Sequence, residues 1–258
     1  MKNNDKTLVH FVGAGPGAPD LITVRGAKAL ENADVVVYAG SLVNPALLEY
    51  CPDAEVFNSA CMTLEEIVDV VAKKVAEGKN VVRLHTGDPS LYGAIREQMD
   101  ALEKLGIPFD SCPGVSACFG AAAALDLEYT LPDVSQSLII TRMKGRTPVP
   151  ERESVESFAA HRASMAIYLS AGALDELAKR LVDGGYDPKT PAALVYKATW
   201  NDEKKILCAV ETLAQVGKEN NVTKTAVVLV GDALAKTNYA KSKLYSASFS
   251  TEFRKAKE

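Results

Sequence analysis

Apolar runs and amphipathic stretches alternate along the first half of the chain. Short, nearly continuous apolar runs, which are typical of strands buried on both faces, lie at residues 7–12, 34–38, 55–57 and 80–84. Stretches with apolar positions at helical spacing lie at residues 23–33, 63–78, 90–105 and 116–127. This alternation of strand and helix predicts an α/β domain with a mostly parallel sheet.

Two of the predicted helices carry start signals. Thr63 and Glu66 have the spacing of a capping box, in which each side chain binds a main-chain N–H of the first turn. Asp20 or Thr23 is expected to cap the first helix. Gly78 follows the second helical stretch and is expected to end it.

The second half of the chain continues the pattern. A helix is predicted at residues 174–182, and strands are predicted at residues 137–141, 165–169, 192–196, 205–210 and 225–230. We therefore expect two α/β domains and a polar tail, with bounds at residues 1–134, 135–235 and 236–258.

Composition and charge narrow the class of protein. The 258 residues are 47% hydrophobic with a net charge of −4, which gives no electrostatic footprint for nucleic acid or an anionic membrane. The first residues lack the apolar core of a signal peptide, and the most apolar helical stretch is too short to span a bilayer. Five cysteines without Cys-x-x-Cys spacing argue against a disulfide framework or a zinc site. We expect a cytoplasmic protein without a metal.

Two glycine-rich stretches directly follow predicted strands. Residues 13–17 are Gly-Ala-Gly-Pro-Gly, and residues 87–93 are Gly-Asp-Pro-Ser-Leu-Tyr-Gly. Ligands of open α/β sheets bind beyond the carboxyl ends of the strands, and glycine lets the main chain approach a ligand closely. The pattern predicts a small-molecule site, with a purely structural turn as the alternative.

A dinucleotide site fits the first glycine stretch poorly. Its spacing is G-x-G-x-G rather than G-x-G-x-x-G, and Pro19 and Asp20 stand where the phosphate-binding helix should begin. The second strand ends in Tyr38-Ala39-Gly40 and offers no carboxylate for a ribose hydroxyl. Neither stretch continues into the Gly-Lys-Ser/Thr of a P-loop. NAD, FAD and nucleoside triphosphates are therefore disfavoured.

Three stretches resemble signatures of the tetrapyrrole methyltransferases, which use S-adenosylmethionine (SAM). These are residues 13–23, 86–93 and 113–117, and the resemblance extends from residue 8 to residue 234. Three further stretches resemble the branch that methylates ring carbon 11 of precorrin-4 or its cobalt form, at residues 38–44, 141–151 and 195–204. Gly40 is a departure, because the family has Asp at that position.

The resemblance implies two α/β domains with a SAM cleft between them, and a homodimer. The residues expected to bind the cofactor are Gly15, Pro16, Gly17, Gly87, Asp88, Pro89, Ser90, Ser116, Ala117, Leu169, Ser170, Tyr196, Lys197 and Ala198. Ser116 and Ala117 begin a helix whose N–H groups suit the methionine carboxylate. The last five residues of the list are assigned to the adenosine side on the resemblance alone. Ordinary helix caps at Asp88 and Ser116 remain the alternative.

The methyl acceptor implied by the resemblance carries many acetate and propionate groups, which arginine and lysine fit best. The densest basic loop contains Arg142, Lys144 and Arg146, and these are the predicted substrate-binding residues. A solvated linker is the alternative for this loop. Asp88 and Arg146 are the candidate catalytic residues. The nucleophile is a carbon of the substrate, so the protein has to align donor and acceptor without a metal.

Three further residues are weaker candidates. Arg83 is a second partner for a substrate carboxylate. His85 is either a proton carrier or a satisfied histidine at a strand end. Trp200 either packs on a macrocycle or belongs to the core.

Other functions remain open at this point. Methylation at C17 or C20, or of uroporphyrinogen III, would use the same fold. RNA or diphthamide methylation is more distant, and the lack of a basic excess disfavours RNA. A non-catalytic nucleotide-binding module is the alternative from another class, although the basic loop argues against it.

Overall fold

The computed structural model describes residues 8–237 and 239–256, with only the main chain described at residue 41. The chain forms two compact units. The first comprises the chain up to Ala121 together with Lys197–Glu203, and the second comprises Ala122–Tyr196 and the chain from Lys204 onward. Each unit contains a five-stranded sheet, so the predicted α/β class is confirmed.

The described strands of the first unit form a parallel sheet. They are β1 (Val9–Gly13), β2 (Val35–Tyr38), β3 (Glu55–Asn58), β4 (Val81–His85) and β5 (Phe109–Cys112). Their order is β3-β2-β4-β1-β5, so the carboxyl ends of β4, β1 and β5 are neighbours. Strands β1 and β4 are buried along almost their whole length, which explains their apolar sequences.

Local signals set the starts of two helices as predicted. The helices in this part of the chain are α1 (Val24–Glu31), α2 (Leu64–Ala76), α3 (Arg96–Lys104) and α4 (Ala117–Ala124). The Thr23 hydroxyl accepts the N–H of Gly26 and caps α1. Thr63 and Glu66 form the capping box of α2. Both cap predictions are confirmed.

Two elements of the first unit differ from the prediction. The helix expected from residue 90 begins only at Arg96, because Tyr92 and Ala94 have positive φ and cannot continue a right-handed helix. Strand β5 is not predicted by the sequence. Its Asp110 and Ser111 are exposed at the edge of the sheet, so it lacks the apolar run of a central strand.

The sheet of the second unit is mixed. Its strands are β6 (Leu138–Arg142), β7 (Ser164–Tyr168), β8 (Pro191–Tyr196), β9 (Lys204–Ala209) and β10 (Ala226–Val230). Their order is β6-β7-β10-β8-β9. β6 and β7 are parallel, and the other neighbours are antiparallel. All five strands predicted for this half are confirmed, with ends displaced by no more than one residue.

Three helices pack on this second sheet: α5 (Val155–Ala159), α6 (Leu174–Asp183) and α7 (Leu213–Glu219). Leu174, Leu177 and Leu181 form the buried stripe of α6, a helix that the sequence predicts at residues 174–182. α5 and α7 have only five and seven residues, too few to show a helical period, and they are not predicted. No helix in the described ranges is long and apolar enough to cross a membrane.

In the tail, the described residues 239–256 are irregular apart from a short 3-10 turn at Lys243–Tyr245. Arg254 organises it by donating hydrogen bonds to the carbonyls of Leu244 and Ser246, at 2.9 and 2.6 Å. Tyr245 and Phe253 are exposed. The tail therefore presents aromatic rings as well as the polar groups that the sequence predicts.

Candidate functional site

Three loops meet where β4, β1 and β5 end. The first glycine stretch follows β1, the second follows β4, and residues 113–117 follow β5. Because these strands are neighbours in a parallel sheet, the loops at their carboxyl ends lie side by side. Gly15 and Gly87 pair across two of the loops, with N–H···O distances of 3.3 and 2.8 Å. The three predicted loops thus form one junction within the first unit.

The junction is packed main chain against main chain. A Cβ on Gly13 would lie 2.6 Å from the Gly114 Cα, and a Cβ on Gly114 would lie 2.1 Å from the carbonyl oxygen of Gly87. A Cβ on Gly17 would lie 2.1 Å from the Trp200 ring. Real Cβ contacts are not this short. Close packing of the loops on one another therefore requires glycine at these positions.

Asp88 joins the second loop to the third. Its Oδ2 accepts the N–H of Gly114 at 2.9 Å, and its Oδ1 accepts the N–H and the hydroxyl of Ser90 at 2.9 and 2.5 Å. Pro89 between them is buried. Partial burial disfavours the ionised carboxylate, but these hydrogen bonds outweigh burial and hold the pKa of Asp88 below its ordinary value. Asp88 does not cap a helix, because α3 begins only at Arg96.

The segment Lys197–Glu203 belongs to the first unit, although it follows a strand of the second. The Trp200 Nε1–H donates to the carbonyl of Pro16 at 3.2 Å, and the N–H of Ala18 donates to the Thr199 hydroxyl at 2.9 Å. The Trp200 indole therefore packs against the first glycine loop and binds its main chain. The two cofactor residues predicted in this segment lie in the same unit as that loop.

Asn44 is a site residue that the sequence does not indicate. Its side-chain Nδ2–H donates to the carbonyl of Gly17 at 2.9 Å, and its Oδ1 accepts the N–H of Ala46. An Asn followed by Pro45 signals a turn. It does not reveal which distant carbonyl the side chain will bind, so this support of the first loop has no counterpart in the sequence pattern.

The chemistry at the start of α4 suits a ligand anion. Ser116 is buried and precedes the helix, whose first N–H groups have no partner inside the helix. A Cβ on Gly87 would lie 3.6 Å from the Ser116 Cα and 3.7 Å from the Ala117 nitrogen. The hydroxyl of Thr86, the residue before Gly87, is buried without a hydrogen-bond partner among the described residues. The free N–H groups of a helix N-terminus fit the carboxylate of a methionine group, and a buried hydroxyl without a partner is available to a ligand.

Left-handed backbone occurs at several predicted cofactor positions. Leu169 has φ +53° and is 71% exposed directly after β7. Lys197 has φ +45°, and Thr199, which is not among the predicted cofactor residues, has φ +70°. Residues with a Cβ rarely adopt this conformation, and it is found preferentially at ligand sites. Tyr196, another predicted cofactor residue, ends β8, with its ring 5.9 Å from the Lys204 Nζ.

Arg142 holds the basic loop that follows β6. Its Nη1 donates to the carbonyls of Met143 and Thr147 at 3.1 and 3.3 Å, and its Nη2 donates to the carbonyl of Pro148 at 2.9 Å. Both amino groups of the guanidinium thus bind main chain of the same loop. Arg142 shapes the loop instead of presenting a fully open guanidinium to a ligand.

Lys144 and Arg146 extend from this loop with exposed side chains, and Lys144 lines a cavity of about 220 Å³. The Ser170 hydroxyl accepts the N–H of Met143 at 3.0 Å and donates to the Tyr168 carbonyl at 2.7 Å. Ser170, predicted to bind the cofactor, therefore anchors the start of the basic loop. Lys144 and Arg146 are the cations of this loop that face solvent.

Arg83 is buried on one face of β4 and is only 4% exposed. It donates to the Gln98 side chain at 2.8 Å, the Val37 carbonyl at 2.9 Å and the Ser59 hydroxyl at 2.9 Å. Burial lowers its pKa to about 10. Its donors connect β4 to β2 and α3, which is a structural role, and a role as a partner for a substrate carboxylate is not supported.

His85 is a neutral, buried histidine. Its ring stacks on Phe11 with centroids 6.1 Å apart, and its Nε2 has no hydrogen-bond partner in the described chain. Burial, together with the charge of Arg83, lowers the pKa of His85 to about 3. A proton carrier needs a pKa near the working pH, so the geometry favours a structural role.

This lowered pKa makes a prediction for stability. The unfolded chain takes up a proton at His85 near pH 6.5 and the folded chain only near pH 3, so the free energy of unfolding falls as the pH drops between these values. The slope is up to about 1.4 kcal/mol per pH unit. Urea unfolding at pH 6.5 and pH 5 should show that acidification lowers the free energy of unfolding by about 1.6 kcal/mol less in His85→Gln than in the parent. His161→Gln, at an exposed histidine, is the control. Parallel losses in the parent and His85→Gln would contradict the prediction.

Comparison with known proteins shows similarity over nearly the whole chain. The family model of the tetrapyrrole (corrin/porphyrin) methylases matches residues 8–214. A cobalt-precorrin-4 C(11)-methyltransferase of Methanocaldococcus jannaschii is 52% identical over 257 residues, covering 99% of this chain and 98% of that protein. The X-ray structure of a cobalt precorrin-4 methyltransferase, a cobalamin biosynthetic enzyme, is similar with a TM-score of 0.88 and 45% identity, covering 91% of this chain and 98% of that one. Uroporphyrin-III C-methyltransferase of Thermus thermophilus in complex with S-adenosyl homocysteine has a TM-score of 0.74 and 25% identity, covering 93% of this chain and 95% of that one.

Proposed function

The chain belongs to the tetrapyrrole (corrin/porphyrin) methylase family, and from this premise we propose that it transfers a methyl group from SAM to ring carbon 11 of cobalt-precorrin-4. The names of the M. jannaschii relative and of the similar X-ray structure support this substrate. The S-adenosyl homocysteine complex of the T. thermophilus relative supports the donor. The observation that carries the proposal is the junction of the three signature loops at neighbouring strand ends.

When bound, SAM supplies an electrophilic methyl group on a sulfonium. The residues of the junction hold it in the proposed site. The N–H groups at the start of α4 and the Thr86 hydroxyl bind the methionine carboxylate. Asp88 keeps the second and third loops in register through Gly114 and Ser90, so we assign it a positioning role. We assign residues 169–170 and 196–198 to the adenosine side of the cofactor.

The basic loop provides the acceptor side. Lys144 and Arg146 bind acetate and propionate groups of the ring, and Arg142 fixes the loop that carries them. Their task is to bring carbon 11 to about 3–3.5 Å from the donor methyl, because alignment supplies much of the rate in such a transfer. A homodimer in the cytoplasm is the form that we propose for the working enzyme.

Two measurements test the function. Calorimetry should show S-adenosyl homocysteine binding with a Kd near 1 μM, or about −8 kcal/mol. Incubation with methyl-labelled SAM and cobalt-precorrin-4 should give a product with one added methyl, located on carbon 11 by NMR. If only metal-free precorrin-4 is methylated, then this form is the substrate and cobalt-precorrin-4 is not. Label on another carbon would refute the position, and cofactor binding without any product would indicate a non-catalytic binder.

Arg146→Ala should weaken substrate binding and leave cofactor binding nearly unchanged. Loss of one charged partner for a carboxylate is expected to raise the KM for cobalt-precorrin-4 by about tenfold, or about 1.4 kcal/mol. The Kd for S-adenosyl homocysteine should stay within about twofold of the parent value. Arg152→Ala, at an exposed arginine nearby, is the control for general charge. If Arg146→Ala lost affinity for both ligands to the same extent, the loop would have a structural role.

A further inference from the structure

A cavity of about 500 Å³ lies in the second unit, where β6 and β7 begin. Its walls include Ile139 and Phe158 on the apolar side and Gln136, His161 and Arg162 on the polar side. Binding sites for small molecules commonly have this volume and this combination of apolar surface with a few polar groups. Nothing in the proposed methyl transfer uses these residues.

The cavity is separate from the proposed substrate loop. β6 and β7 are parallel, with Leu138 opposite Ser164 and Arg142 opposite Tyr168. The basic loop follows the carboxyl end of β6, whereas the cavity lies at the amino ends of both strands. A strand of this length separates its ends by roughly 13 Å. A ligand of the cavity therefore occupies a second site in the same unit.

Arg162 gives the lining of the cavity a positive charge. None of its described lining residues is acidic. Arg162 makes no ion pair and no side-chain hydrogen bond in the part of the chain that the structure describes, and its side chain is exposed. Arginine binds carboxylates through two parallel N–H···O bonds. The open guanidinium thus favours an anion over a neutral or cationic ligand.

The backbone at Arg162 gives a second, independent indication. Its φ is +50°, three residues after the end of α5, where its N–H donates to the carbonyl of Ala159. Glycine is the usual residue for a left-handed position that ends a helix, because it has no Cβ to strain. An arginine there keeps a strained conformation that glycine would relieve. Strain of this kind is typical of functional positions.

We propose that this cavity binds an organic carboxylate, with the acid group on Arg162 and an aromatic or aliphatic body against Phe158 and Ile139. The apolar wall favours a ligand with an aromatic or aliphatic part, and the guanidinium favours a ligand with a carboxylate group. The two parts of the ligand can therefore be tested separately, with benzoate as the complete probe, acetate as the acid alone and benzyl alcohol as the body alone.

Titration of the ¹⁵N-labelled full chain with benzoate should shift the amide signals of His161 and Arg162 with a millimolar Kd. Acetate and benzyl alcohol should bind there at least tenfold more weakly. Arg162→Lys keeps the charge but lacks the two parallel N–H···O bonds, so its affinity for benzoate should lie between those of the parent and of Arg162→Gly. Arg162→Gly should bind benzoate at least tenfold more weakly while its Tm rises by about 2–4 °C, because the left-handed backbone is relieved.

Asn221→Gly is the matched control. Asn221 is also a non-glycine residue of the second unit, with φ +56°. Its replacement by glycine therefore relieves backbone strain without removing a charge. It should leave the affinity for benzoate unchanged. The proposal fails if benzoate shifts only the amides of residues 144–146, if benzyl alcohol binds as well as benzoate, or if Arg162→Gly binds benzoate like the parent.

Discussion

Gly114→Ala is expected to lose at least about 3 kcal/mol of free energy of unfolding and to bind S-adenosyl homocysteine at least 100-fold more weakly. The added Cβ would lie 2.1 Å from the Gly87 carbonyl oxygen and 2.8 Å from the Gly13 Cα. Both neighbours are main-chain atoms of buried loops, so neither can turn aside as a flexible side chain can. The three loops must separate to accommodate one methyl group.

Urea unfolding and calorimetry measure the two effects of Gly114→Ala. Gly145→Ala is the matched control, because a Cβ on Gly145 meets nothing within 4 Å. It should change the free energy of unfolding by less than about 0.5 kcal/mol. A Gly114→Ala protein that unfolds like the parent and binds S-adenosyl homocysteine normally would show that the junction is looser than its contacts indicate.

Arg142→Lys should lower kcat/KM for cobalt-precorrin-4 by about 10- to 100-fold, mainly through KM. The guanidinium donates three hydrogen bonds to carbonyls of the basic loop, each worth about 0.5–1.5 kcal/mol. A lysine ammonium keeps the charge but lacks the planar fork that reaches these carbonyls together. Lys144 and Arg146 would then lose their fixed position relative to the substrate.

Steady-state kinetics and cofactor calorimetry separate positioning from general structure in Arg142→Lys. The affinity for S-adenosyl homocysteine should remain close to the parent value, since the loop is at the surface. Arg152→Lys, another exchange in the same unit, should leave every constant unchanged. An unchanged KM in Arg142→Lys, or a comparable loss of cofactor affinity, would contradict a positioning role for this arginine.

Much of the scaffold follows from apolar patterning. β1 and β4 are buried runs, and such runs are recognisable in one sequence. The cap of α2 is equally visible, because Thr63 and Glu66 interact across only three residues. The two glycine-rich loops follow predicted strands, so their position at the carboxyl edge of the sheet could be anticipated, whereas the third loop follows β5, which the sequence does not predict. Local and periodic information thus predicts where the site is.

The contacts inside the site could not be predicted in the same way. Asp88 could be assigned a capping role, whereas its carboxylate binds Gly114, 26 residues away. Trp200 reaches Pro16 across 184 positions, and no periodic pattern encodes such a distance. The edge strand β5 lacks an apolar run because Asp110 and Ser111 are exposed. These features depend on tertiary structure, which the pattern along the chain does not contain.

The return of Lys197–Glu203 to the first unit has a consequence for synthesis on the ribosome. The strands of the first sheet have all been made once Cys112 emerges, yet Pro16 and Ala18 obtain their partners only when Thr199 and Trp200 follow. A nascent chain emerges at about 5–20 residues per second. The first glycine loop therefore lacks these two partners for several seconds of translation, and a gene fragment that ends at codon 134 would encode the first sheet with a first glycine loop that never acquires them.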